Sequence, residues 1–304
     1  MSCSWNGKQR IGNTYLCCGG VFFLGPDYVF MVATALMIIV CSLLFVIFTN
    51  MLTAQIVCGC AAITTLGFMW CCSTMDPGIC PKAPPPPENT PPHEPQMEPV
   101  TYVDGNGQLQ HAVLERRWCY VCNLYRPLRA VHCRFCDVCI TRRDHHCPWV
   151  GTCVGERNYR FYWSFLWSTL WLALTVMIGG VVGIIRRLGS ITTNSSDGGK
   201  NAFFSVLAES HFIEPVLVLI AFVAFCLVAP LTAYHTMLVA RNMTTVEEMR
   251  GGPNHVHYYN KGGWWENCKA TLFSPIPPSK FVSERGFCTP SVEVVVENEE
   301  VGNA

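Results

Sequence analysis

The chain has 304 residues, half of them hydrophobic and only 14% charged. A mean hydropathy of +0.27 is high for a soluble protein. The 21 basic residues balance 21 acidic ones, so nothing in the charge points to a nucleic acid or another polyanionic partner.

Residues 1–27 carry Lys8 and Arg10 and precede a long apolar run. No acidic or basic side chain occurs from Tyr28 to Met75, a span of 48 residues. One membrane-crossing helix needs about 20 apolar residues, so this run predicts two of them. A turn near Thr49-Asn50 divides it into helices over about 28–49 and 51–72, within a membrane segment 28–73. The first is expected to be an anchor, because its run exceeds a signal-peptide core and no small-residue cleavage site follows cleanly.

The segment 74–115 contains Pro81–Pro99, with nine prolines in 19 positions, which predicts an extended spacer. Beyond it, a short hairpin is expected, turning at Asp104-Gly105 or Asn106-Gly107.

Residues 116–160 form the chemical centre of the sequence. Between Cys119 and Phe161 lie seven of the 19 cysteines and three of the nine histidines. Repeated Cys-x-x-Cys pairs mixed with histidine are what tetrahedral zinc sites require. Two closed sites need eight ligands, and Cys119, Cys122, His132, Cys133, Cys136, Cys139, His146 and Cys153 supply them. Cys147 is then surplus, with His145 and Asp144 beside it. A thiol next to a histidine and a carboxylate suggests a nucleophile, a base and an orienting group. Local spacing leaves open which of His145 and His146 is the ligand. At this size metal coordination replaces a hydrophobic core, so the module is expected to have little regular structure.

Two further charge-free intervals, Phe161–Ile185 and Pro215–Ala240, each have the length of one crossing. They predict helices over 161–185 and 213–240, joined by a loop over 186–212 and followed by a tail over 241–304. Gly179, Gly180 and Gly183 offer a surface for close helix contact. Trp163, Trp167 and Trp171 recur every four residues and predict an interfacial or lipid-facing stripe, with cavity lining as the alternative. His235 sits inside the fourth predicted span, where a polar group is costly and marks either a functional or a hydrogen-bonded structural role. Cys17-Cys18 and Cys71-Cys72 flank membrane helices and are candidates for palmitate modification, or simply apolar filler. Trp264-Trp265 suggests an interfacial anchor.

Basic residues set the orientation. Eighteen fall in the N-terminal segment, the segment between helices two and three, and the tail, against three between helices three and four. Both termini and the cysteine-rich segment are therefore expected in the cytosol, and the 186–212 loop outside it, where Asn194-Ser195-Ser196 forms a glycosylation sequon. Cytosolic thiols stay reduced, which favours metal over disulfides. The predicted fold is thus an all-α multi-pass membrane protein, with four transmembrane helices and a cytosolic two-zinc domain between helices two and three.

Asp144-His145-His146-Cys147 within this spacing resembles the DHHC cysteine-rich domain of protein S-acyltransferases (palmitoyltransferases). The family pattern C-x2-C-x9-HC-x2-C-x2-C-x4-DHHC-x5-C-x4-N is met at every position through Asn158. Asp76-Pro77-Gly78 looks like the family's DPG motif and Thr244-Thr245-Val246-Glu247 like its TTxE motif. Tyr259-Asn260-Lys261-Gly262 with Asn267 and Phe273 resembles its C-terminal motif, one residue off in spacing. Gly12-Asn13 and Arg157–Phe161 are similar to the branch of the yeast Ras acyltransferase and its plant and animal relatives.

The resemblance implies that Cys119, Cys122, His132 and Cys139 bind one structural zinc, and Cys133, Cys136, His146 and Cys153 the other. It makes Cys147 the nucleophile, His145 the base and Asp144 its orienting group. Acyl-CoA, in its palmitoyl form, is the implied co-substrate, and cytosolic or membrane-associated proteins with accessible cysteines are the implied acceptors. A long acyl chain, at about 0.8 kcal/mol per buried CH₂, belongs among the membrane helices, with Trp149 a candidate to close over its head. Golgi or endoplasmic reticulum is the implied membrane, with the plasma membrane as a further candidate and an accessory subunit as a further candidate partner. The competing class is a membrane-tethered zinc scaffold without chemistry, which has no need of the spare Cys147.

Overall fold

In a computed structural model of the chain, the run from Tyr28 to Met75 forms two helices, α1 (Tyr28–Phe48) and α2 (Leu52–Thr74). The structure describes residues 9–17, 21–87, 94–104, 106–194, 212–251 and 256–281. Cys18, Gly105, Ser195 and Ser196 of the sequon, and the acidic tail lie outside them. The turn between α1 and α2 has a physical cause. Gln55 Nε2 reaches back from α2 and donates to the carbonyls of Val46 (3.0 Å) and Thr49 (2.6 Å), satisfying groups that the end of α1 leaves unpaired. At the other end of α2, Pro77 disfavours helical geometry at Asp76, and the helix stops at Thr74.

Helix α3 (Tyr159–Asn194) is longer than the charge-free interval, and α4 spans Ile213–Arg241. All four helices contain windows of mean hydropathy between 1.7 and 2.9 and are long enough to cross a membrane. The charge limit at Ile185 understates α3 because a helix does not unwind at a charge that finds a partner. Arg187 lies 3.4 Å from Glu214 of α4 and also donates to the Phe48 carbonyl of α1. Glu214 is fully buried, and this contact ties three helices together at one end of the bundle.

Helix α3 packs against α2 and α4, and α1 against α2 and α4, giving a closed bundle of four. Its core holds Met31, Ile38 and Phe45 of α1, Met69 of α2, and Phe165 and Leu217 of α3 and α4. Leu36, Ile47, Ile63, Leu219 and Leu227 point outward and exposed, as a lipid environment requires. Close approach of α3 depends on its glycines. A Cβ at Gly180 would run into Val218, and one at Gly179 would lie 2.8 Å from Phe45. Gly180→Leu is therefore expected to overpack the bundle by about 1–3 kcal/mol, read as a lower melting temperature in detergent. Trp163 and Trp167 donate to Thr236 Oγ1 of α4 at 3.2 and 3.3 Å, so their rings tie α3 to α4 while Trp171 stays exposed.

Outside the bundle, the regular structure among the described residues is mainly short β-strands. Strands β1 (Gln9–Ile11), β2 (Thr14–Cys17) and β3 (Phe22–Leu24) form an antiparallel meander, and β4 (Ile79–Cys80) follows α2. The hairpin of β5 (Gln96–Val103) and β6 (Leu109–Arg116) begins inside the proline-rich segment. Its turn is organised by Asp104, whose Oδ1 accepts from the backbone of Asn106 and Gln108 at 2.9 Å each. The cysteine-rich module holds six short strands where little regular structure was expected. They are β7 (Trp118–Cys119), β8 (Leu124–Tyr125), β9 (Val131–Cys133), β10 (Val138–Ile140), β11 (His145–Cys147) and β12 (Thr152–Val154). Each ligand group needs chain segments side by side, and antiparallel pairing of two or three residues is how the backbone supplies them. After α4 come α5 (Thr245–Arg250), α6 (Trp264–Cys268) and a turn of wider helix over Lys269–Phe273.

Candidate active site and metal centres

Alternation along the short strands assigns the side chains. In β9, His132 and Cys133 are neighbours and must point to opposite faces. His132 faces one cluster, opposite Cys139 of β10, and Cys133 faces the other. Asn123 and Asp137, each the residue after a Cys-x-x-Cys pair, adopt positive φ (51° and 54°), which Asn and Asp tolerate in such tight turns.

Two groups result: Cys119, Cys122, His132 and Cys139, and Cys133, Cys136, His146 and Cys153. Zn–S bonds of about 2.3 Å and Zn–N bonds of about 2.0–2.1 Å in a tetrahedron put sulfur and nitrogen roughly 3.6 Å apart, and two sulfurs roughly 3.8 Å apart. In the first group Nδ1 of His132 lies 3.7, 3.4 and 4.0 Å from the sulfurs of Cys119, Cys122 and Cys139. In the second, Nδ1 of His146 lies 3.7, 3.3 and 3.6 Å from those of Cys133, Cys136 and Cys153. Cys136 and Cys153 sulfurs are 3.6 Å apart. Both groups fit a zinc ion with four protein ligands and no open position.

The same alternation sorts the pair of histidines. On β11, His146 faces the second cluster, across from Cys153 of β12, so His145 and Cys147 share the opposite face. His145 Nδ1 lies 2.7 Å from Asp144 Oδ2, and the Cys147 thiol stands near enough to the ring to act on its charge. Burial opposes charge on His145, but the hydrogen bond to Asp144 and the influence of the neighbouring Cys147 sulfur outweigh it and hold its pKa up at about 9. Burial likewise works against the Asp144 carboxylate, yet bonds from His145 and Thr245 prevail and keep its pKa below the ordinary value. Cys147 is 6% exposed and belongs to the same apolar cluster as Met31, Met69, Tyr162 and Phe165 of the membrane helices. The thiol therefore lies where the module meets the bundle. Trp149, on the single 3-10 turn after Cys147 (Pro148–Val150), is 62% exposed.

A family model described as DHHC palmitoyltransferase matches residues 112–252. Palmitoyltransferase ZDHHC9 of Homo sapiens is 33% identical over 286 residues, covering 88% of this chain and 75% of that protein. The chain belongs to the DHHC palmitoyltransferase family. Palmitoyltransferase ZDHHC14 of Danio rerio is 28% identical over 309 residues, which is 91% of this chain and 60% of that protein.

Of the motifs that mark the family, the TTxE segment reaches the site directly. Thr245 of the TTxE segment donates to Asp144 twice, from its backbone N–H at 2.8 Å and its hydroxyl at 2.7 Å. Thr244 and Glu247 close a reciprocal capping box at the start of α5. Glu247 in turn receives both ends of the Arg129 guanidinium at 2.6 and 2.7 Å, while Tyr259 lies under the same group at 4.2 Å. Asp76 of the DPG segment accepts from Gly78 and Ile79 at 2.8 Å each and pairs with Arg157 at 3.1 Å. Gly78 is required there, because its φ of 108° is open only to glycine and a Cβ would strike Thr141. Asn267 is buried despite its offset spacing: it donates to the Ala240 carbonyl (3.0 Å) and Asn260 (2.9 Å) and accepts from Lys261 N–H (2.8 Å).

Three contributors lie outside the predicted set of site residues. His235 of α4 is buried with its ring centre 5.5 Å from that of His145, and its Nδ1 lies 3.1 Å from the Tyr159 hydroxyl. Tyr162 sets its ring edge-on to His145 at 4.9 Å. Asp27, just before α1, reaches His146 Nε2 at 2.9 Å. Only His235 gave a signal, as a polar residue within an apolar run.

Proposed function

We propose that the protein transfers a long-chain fatty acyl group, palmitoyl in the first instance, from acyl-CoA to Cys147 and then to cysteine thiols of other proteins. One observation carries this: Cys147 shares a strand face with His145 and is buried against the membrane helices while Asp144 fixes the imidazole.

An ordinary thiol with a pKa near 8.5 is mostly protonated at neutral pH. Nδ1 of His145 is held by Asp144, so Nε2 is the nitrogen that takes the Cys147 proton. The thiolate attacks the thioester carbonyl, the C–S bond to CoA breaks, and the proton passes from His145 to the leaving CoA sulfur. An acyl-Cys147 thioester remains. In the second half an acceptor thiol gives its proton to His145 and attacks that thioester, and Cys147 leaves and regains a proton. One thioester replaces another, so the chemistry is nearly balanced and the enzyme supplies positioning and thiolate formation. The acyl chain lies among the helices, and the exposed indole of Trp149 meets the head of the donor.

The zinc ions, when bound, hold the strands in register. Cys133→Ala is expected to cut the metal content from two ions per chain to one and to destabilise the module, read by elemental analysis. The basic-residue asymmetry supports a cytosolic site and termini, and the resemblance to the Ras-acyltransferase branch supports a Golgi or endoplasmic reticulum membrane. An accessory subunit belongs to the same proposal, tested by whether the purified chain alone is active. The reaction itself is tested by following CoA release from palmitoyl-CoA and acyl transfer to a cysteine peptide.

A further inference from the structure

The two metal clusters differ in what stands behind their histidines. His132 Nε2 comes no closer than 3.9 Å to Asp137, outside hydrogen-bond range. His146 Nε2 lies 2.9 Å from Asp27 Oδ2, and Asp27 comes from a different part of the chain, the last residue before the first membrane helix. A metal-bound histidine uses its other ring nitrogen as a donor, and an anionic acceptor there fixes the ring and raises its basicity. With Nδ1 turned to three sulfurs, Nε2 of His146 carries the hydrogen and donates to Asp27. Phe135 stacks on the imidazole at 4.8 Å, so the ring is held on its face as well as at both nitrogens.

The backbone repeats the connection. Asp27 N–H donates to the Gly151 carbonyl at 3.3 Å, while its own carbonyl accepts from Phe30 at 2.9 Å and so opens α1. Gly25 lies so close to that same Gly151 carbonyl that a Cβ would collide with it. The entry to α1 is thus fastened to the loop between β11 and β12. His146 stands between His145 and Cys147 in sequence, so whatever fixes its ring also fixes the strand that presents base and nucleophile.

We propose that Asp27 is a positioning residue: through His146 it sets how tightly the second metal centre, and not the first, holds its ion, and it couples the start of α1 to the strand that carries Cys147. This rests on the zinc reading of the second cluster. The test uses the full-length chain in detergent, challenged with EDTA, with alkylation of each cysteine followed by mass spectrometry. In Asp27→Ala, Cys133, Cys136 and Cys153 are expected to become reactive about 10–100-fold faster than in the wild type, with Cys119, Cys122 and Cys139 unchanged as an internal control. Asp27→Asn keeps the shape and an acceptor oxygen but loses the charge, and should fall between the two. No acceleration, or equal acceleration in both sets, overturns the proposal. Immediate reactivity of Cys133, Cys136 and Cys153 in the wild type before EDTA would instead overturn the zinc reading of that cluster, and the role of Asp27 with it.

Discussion

Purified Cys147→Ser protein is expected to retain two zinc ions and to take up no hydroxylamine-sensitive acyl group from palmitoyl-CoA, a loss on the order of 10³-fold or more. The size follows from the mismatch between a hydroxyl and its base. His145, held at about 9, is matched to a thiol but not to an alcohol, which titrates far higher. Serine differs from cysteine by one atom in a site that is 6% exposed, so packing against the helices should survive. Zinc content is the control, because Cys147 belongs to neither ligand group. Labelling at the wild-type level would remove Cys147 from the mechanism.

Substituting the base gives the second large effect. His145→Ala should slow acylation by about 10²–10⁴-fold, the usual range for a lost general base. Asp144→Asn should come close to it. Asp144 fixes the tautomer by accepting from Nδ1, and an amide in its place can present a donor that turns the ring's other nitrogen away from its task. Thr245 makes two hydrogen bonds to the same carboxylate, so Thr245→Val should cost less than either, acting only through Asp144. Rates of CoA release under single-turnover conditions measure all three. A wild-type rate in His145→Ala would contradict the assignment of the base.

Much of this site could be read before any coordinates, for a physical reason. Tetrahedral coordination restricts spacing, so the Cys-x-x-Cys pairs identified eight ligands and exposed Cys147 as surplus, while the division into two groups came from the family resemblance. Membrane spans were legible because lipid excludes unpaired charge over some 20 residues. The same rule misplaced the end of α3, where Arg187 is neutralised by Glu214 from another helix. Spacing could not separate His145 from His146, since adjacent residues part only once β11 is known to be a strand. Asp27, Arg129 and His235 act across separations of about a hundred residues, where chain order carries no hint of contact. The strands of the metal module were missed because runs of two or three residues leave no periodicity to detect.

The central claim is that Cys147 carries the acyl group between donor and acceptor. It is tested most directly by incubating the purified chain with palmitoyl-CoA, digesting it and mapping the adduct by mass spectrometry. The account predicts one hydroxylamine-labile palmitoyl thioester on the Cys147 peptide, discharged when a cysteine-containing acceptor peptide is added. An adduct elsewhere with none on Cys147, or one on Cys147 that no acceptor thiol can discharge, would contradict it.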